Sequence, residues 1–145
     1  MESFVGPIIF NCFNLSELLK ILSAILNERQ LIFVSERRDL SSKVMFCLRD
    51  LLLGQTDFQW HYFFISCLPS LLIDYMNAPF PTMIGVLREI FDGRVDEICN
   101  LYLKQVGTPF EVPSPIIVDI DQGQVIHIEN YKARRDLRIL QERNL

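Results

Sequence analysis

Glycine-rich turns are missing from this sequence, and with them the usual phosphate-binding signals of α/β proteins. After the apolar run 31–34 the chain continues Ser35-Glu36-Arg37-Arg38-Asp39, with no glycine. Glycine is what lets successive backbone N–H groups close on a phosphate, so neither a dinucleotide fingerprint nor a lysine-bearing phosphate loop is available. No G-x-S-x-G occurs, which removes the nucleophile elbow of an α/β hydrolase. The only histidines are His61 and His127, and no carboxylate cluster stands at ligand spacing, so neither a metal nor a cofactor is expected. Cys12, Cys47, Cys67 and Cys99 lie far apart in apolar contexts; that pattern reads as buried reduced thiols rather than a zinc site or a disulfide framework. Fourteen basic against eighteen acidic residues give a net charge of −4 with no basic block in the body of the chain, which argues against nucleic-acid binding. No uncharged apolar stretch approaches the ~20 residues of a membrane span. The opening residues also lack the basic region and long apolar core of a secretory signal.

What is abundant is apolar surface: 50% of residues are hydrophobic and 11% aromatic, rich for a chain of one domain's size. Strands buried on both faces of a sheet would account for this, as would a surface covered by a neighbouring part of a longer protein; both are expected. Leu15, Leu18, Leu19, Leu22, Ile25 and Leu26 fall at helical spacing and predict one broad apolar face, with Asn14 and Glu17 as a capping box. The unbroken run 31–34 predicts a strand buried on both sides. A second helix is expected over 41–53, capped by Asp39 or Ser41 and stopped at Gly54, with Val44, Met45, Leu48, Leu51 and Leu52 inward. Residues 62–68 predict a second strand, 70–76 a short helix, and 83–87 a third strand. A helix over 94–106 and a proline-containing loop over 107–115 follow. Segments 116–120 and 125–128 around Asp121-Gln122-Gly123-Gln124 carry a hairpin signal. Together these give an α/β fold: a mostly parallel sheet with helices on both faces and a C-terminal β-hairpin. Residues 1–130 are read as one module and 131–145 as a helical tail or linker toward a further module.

Candidate chemistry is sparse. Ser35, Asp74 and His61 could be assembled into a triad, but nothing in their spacing supports one, so a small α/β hydrolase is a remote reading. Asp119 and Asp121 are two apart at a strand end, where they could share a face as paired acids or simply end the strand and form the turn beside Gly123. His127, between Ile126 and Ile128, reads as an outward strand residue. Lys132, Arg134, Arg135, Arg138 and Arg143 could meet an acidic lipid surface or form a solvated helix. The segment 71–87 places Asp74, Tyr75 and Asn77 before Pro79 and Pro81, a stiff, partly polar loop able to present a surface to a partner.

That segment resembles the hallmark of the DENN family, in which a leucine-rich turn and an aspartate precede Ala-Pro-x-Pro and an Ile-Gly strand; Asp74, Ala78, Pro79, Pro81, Ile84 and Gly85 match in place. Further matches run in the family's order. Residues 25–44 are similar to its helix–strand–helix stretch, with Glu28-Arg29, Phe33-Val34-Ser35 and Leu40-Ser41-Ser42. Phe58 and Trp60 match Phe-x-Trp, Leu68-Pro69 its Leu-Pro, and Val118-Asp119 with Asp121 its Val-Asp-x-Asp. Gln30 stands where a second basic residue is common, and 88–115 is longer than the family pattern.

The resemblance implies the central module of a two-lobed DENN domain, with a longin-like lobe before it and a helical module after it. It implies guanine-nucleotide exchange on a Rab-family small GTPase, by binding the switch regions and favouring GDP release. No covalent step is expected, because differential binding alone shifts the population. Partner contacts are expected at Asp74, Tyr75, Asn77, Pro79 and Pro81, and motif or structural roles at Arg29, Ser35, Ser41, Ser42, Trp60, Pro69, Ala78, Gly85, Asp119 and Asp121. A scaffold in a trafficking complex without exchange activity is the alternative. A cytoplasmic protein recruited peripherally to intracellular membranes through its partners is implied.

Overall fold

The computed structural model describes residues 11–27, 29–53, 63–65, 82–105, 107–109 and 114–143. The expectations over 54–62 and 66–81, including the stop at Gly54 and the short helix over 70–76, lie outside these residues.

Helix α1, Leu15–Leu26, begins where Asn14 adopts an extended conformation and its side chain accepts the Glu17 N–H at 2.9 Å. The Glu17 carboxylate does not close the capping box. It accepts instead the backbone N–H of Val125, 108 residues away, at 2.8 Å. Nor do the leucines form one inward face. Leu18, Ile21, Ala24 and Ile25 are buried, whereas Leu15, Leu19 and Leu26 are largely exposed. At 100° per residue, Leu15, Leu19 and Leu26 lie along a second stripe, rotated away from the sheet, while Leu22 is half-buried against the core.

Strand β1, Leu31–Ser35, is buried along its whole length. Helix α2, Arg38–Leu53, starts earlier than expected, so Asp39 and Ser41 lie inside its first turn rather than capping it. The hydroxyl of Ser35 accepts the Arg37 N–H at 3.0 Å and organises that entry. Val44, Met45 and Leu48 are buried; the side chains of Leu51 and Leu52 lie outside the description. Strands β2, Phe63–Ile65, and β3, Thr82–Leu87, follow. Helix α3, Arg88–Gln105, leaves β3 without a loop, six residues before the expected start. Phe91, Val95, Ile98 and Tyr102 carry one buried stripe through it, and Gly93 lies on its exposed side, where a helix tolerates glycine. Strands β4, Ile116–Asp119, and β5, Gln124–His127, form the expected antiparallel hairpin, with His127 exposed. Helix α4, Ile128–Arg143, follows directly, so residue 130 falls within its first turn.

Among the described residues the sheet has five strands in the order β2-β3-β1-β4-β5. All neighbours are parallel except β4 and β5. Alternation along the strands divides the core. Leu31, Phe33, Met83, Ile116 and Val118 pack under α1 and α2. Ile32, Val34, Ile84, Val86 and Ile117 pack under α3 and α4. The arrangement is an α/β/α sandwich, and two buried faces explain why β1 reads as an unbroken apolar run. Gly85 is buried opposite Phe33 in the β1–β3 register.

Candidate functional site

The exits of β1 and β3 define the site. These strands are neighbours, but β1 leads into α2 on one face of the sheet and β3 leads into α3 on the other. Such a divergence opens a crevice at the carboxyl edge of a parallel sheet, where open α/β folds take their ligands. A cleft of about 510 Å³ lies there, lined by Glu36, Leu87, Arg88, Asp92, Arg138 and Glu142 among others.

A polar cluster sits beside this cleft. Ser35 closes β1, Asp119 closes β4, Asp121 stands in the hairpin turn and Arg88 opens α3. The Arg88 guanidinium donates to Asp119 Oδ1 at 2.5 Å and to Asp121 Oδ2 at 3.0 Å. It also donates to the Tyr131 hydroxyl at 3.2 Å. Asp121 further accepts the Ser35 hydroxyl at 2.9 Å and the Glu36 N–H at 2.8 Å. Asp119 accepts the Gln122 N–H at 3.3 Å, which ties the strand end to the turn. Tyr131 passes its hydroxyl proton toward Asp92 at 2.5 Å, joining α4 to α3.

Ser35, Arg88 and Asp119 are buried, and a cation there is tolerable only because two carboxylates surround it. Burial works against the Arg88 charge, but the hydrogen bonds and charges around it raise its pKa well above the ordinary value. For Asp121, burial pushes the carboxyl up, while the Glu36 N–H, Arg88 and Ser35 outweigh it and hold the carboxyl below its usual range. The two aspartates are thus held together by one guanidinium, which bonds both.

Several basic residues of α4 pair with groups of the protein itself. Arg135, buried, donates to the Asp92 carbonyl and to Asp96, both at 2.8 Å. Lys132 lies 3.6 Å from Asp96, Arg138 bonds Asp92, and Arg134 bonds Gln124.

Of the residues singled out in the sequence, the fold brings together Ser35, Asp119 and Asp121. Arg29 lies apart, donating to the Ser114 carbonyl at 2.7 Å, and Gln30 accepts the Tyr102 hydroxyl at 2.7 Å. Burial pushes the Tyr102 hydroxyl up to about 12. Ser41 is buried and Ser42 half-buried in α2. Asp74, Tyr75, Asn77, Pro79, Pro81, Trp60, Pro69 and Ala78 lie outside the described residues. Cys12 and Cys99 are free thiols whose pKa burial raises; Cys47 is buried, and Cys67 is not described. Among the described residues, no group of histidine, cysteine and carboxylate side chains is placed to hold a metal ion. No described helix is long and apolar enough to cross a membrane. Sequence reasoning missed Arg88, Tyr131 and Asp92. The available signal was a lone arginine abutting a strand buried on both faces.

A family profile described as "DENN (AEX-3) domain" matches residues 6–108, most of the chain. The chain belongs to the DENN domain family. DENN domain-containing protein 2C of Homo sapiens is 30% identical over 117 residues, covering 74% of this chain and 12% of that protein. DENN domain-containing protein 2B of Homo sapiens and that of Mus musculus are each 32% identical over 79 residues, covering 54% of this chain and 7% of the relative. The chain thus spans 7–12% of the length of these DENN relatives. The DENN match runs through β1, β3 and α3 and ends before β4. Arg88 therefore falls inside the matched segment, and its aspartate partners fall beyond it.

Proposed function

We propose that this DENN module contributes to guanine-nucleotide exchange on a Rab-family small GTPase, binding its switch regions and favouring GDP release. The observation that carries the reading is the family match over residues 6–108. The segment bearing Asp74, Tyr75, Asn77, Pro79 and Pro81 leads directly into β3 and is assigned the contact surface. Exchange needs no nucleophile or general base: a partner that binds the nucleotide-free GTPase more tightly than the GDP-bound one shifts the equilibrium by that difference. A longin-like lobe and a helical module of the same protein would complete the cleft, and peripheral membrane recruitment would come through the partners.

The test is release of a fluorescent GDP analogue from a panel of Rab proteins, using the full-length protein that contains this module. At least one Rab is expected to lose GDP faster, and Asp74→Ala with Tyr75→Ala to weaken that acceleration. Binding without acceleration on every Rab would replace exchange with the scaffold role.

A further inference from the structure

We propose that the Asp121 carboxylate is a tethered anion that fills, from within the chain, the ligand position at the sheet's carboxyl edge, and that the β4–β5 turn carrying it acts as a plug.

The donors that meet Asp121 come from three places in the fold. The Ser35 hydroxyl lies at the end of β1, the Glu36 N–H on the way into α2, and the Arg88 guanidinium at the start of α3. A hydroxyl, a backbone N–H ahead of a helix and a guanidinium are the donors that hold a phosphate or carboxylate group of a ligand at such an edge. Here they converge on a side chain of the protein itself. Ser35 is 0% and Arg88 9% exposed, so both donors are shielded from bulk water while the carboxylate is in place. Leaving such donors unpaired is costly, which keeps the plug seated.

The back of the turn is fitted as closely as its front. Gly123 adopts φ +63°, and a Cβ there would stand 2.3 Å from the Cys12 carbonyl oxygen. The Gly123 N–H donates to the Ile120 carbonyl at 3.1 Å and closes the turn. The segment ahead of α1 thus backs the turn while the carboxyl edge holds its tip. The position is closed while the turn is seated, and a carboxylate or phosphate group enters only when the turn withdraws.

Chemical rescue tests it on the 145-residue chain. Asp121→Ala removes the carboxylate and leaves its donors, whereas Asp121→Asn still fills the space. Thermal unfolding is followed in sodium formate and in sodium chloride at equal ionic strength. Asp121→Ala is expected to unfold at a lower temperature than the parent. Formate at ten times its dissociation constant should restore about 4 °C. The parent and Asp121→Asn should show no formate-specific rise. Unfolding of Asp121→Ala at the parent's temperature, or an equal formate effect on all three chains, would overturn the proposal. Should Asp121→Ala not fold, Ser35→Ala removes one donor only. It is expected to speed hydrogen exchange at the Gly123 amide, and unchanged exchange there would overturn the proposal equally.

Discussion

At the scale of single residues, Arg88 carries the most. Its guanidinium bonds the end of β4, the hairpin turn and α4, and it opens a helix whose amino end disfavours a cation. Asp119 and Asp121 offset that placement. Arg88→Met keeps much of the volume and strands two carboxylates, so it should cost about 3–5 kcal/mol in urea unfolding at pH 7. The cost should depend on pH with a definite sign. The Asp121 carboxyl is held below its ordinary value in the folded state. Its contribution is therefore fully present above about pH 4 and lost as pH falls through the lower, folded value. The gap between the parent and Arg88→Met should narrow on that acid limb. A gap constant from pH 7 to pH 3 would deny Asp121 its part.

At the scale of elements, α1 shows how a local signal can be right while its partner is wrong. Asn14 caps the helix as its position suggested, since that bond needs only the first turn. Glu17 belongs to a tertiary contact, because among the described residues β5 is the edge strand and its outward Val125 N–H has no neighbouring strand to bond. Asn14→Ala should cost about 1 kcal/mol. Glu17→Ala, which orphans the Val125 N–H, should cost about 1–3 kcal/mol and speed exchange at that amide. Exchange unchanged at Val125 would place the cost in the helix alone. The split of the leucines has a similar origin. Helical spacing identified apolar positions, but which of two stripes meets the sheet depends on how the helix is rotated against β1 and β4.

At the scale of the whole molecule, α4 is a working part of the sandwich. Tyr131 is 3% exposed and meets Phe91 edge-on at a centroid distance of 5.0 Å. Arg135 ties the same helix to α3 through Asp92 and Asp96. A chain ended at residue 130 should lose about 3–5 kcal/mol from the buried aromatic alone. That is a large part of a domain's usual stability of about 5–15 kcal/mol. Urea unfolding and binding of an apolar dye should both report the loss, and an unchanged midpoint would make 131–143 a mere tail. The same contacts explain why the basic residues of this helix are poor evidence for a lipid-facing surface: Lys132, Arg135 and Arg138 already face the acids of α3.

Among the described residues, the order of strands and helices, the burial of β1 on both faces and the hairpin around Gly123 were written in the sequence, because each depends on neighbours within a few residues. The start of α3 was hidden, since Gly93 broke the apparent pattern although it lies on an exposed side where it costs little. Membership of the family was equally readable, from motifs standing in order. Tertiary structure alone decided that Arg88 meets Asp119 and Asp121, which are 31 and 33 residues away. It alone sent the carboxylate of Glu17 to the far hairpin. Periodicity reports which way a side chain faces along its own element. Which charges meet is set by the order in which the crossovers lay β3, β1 and β4 side by side.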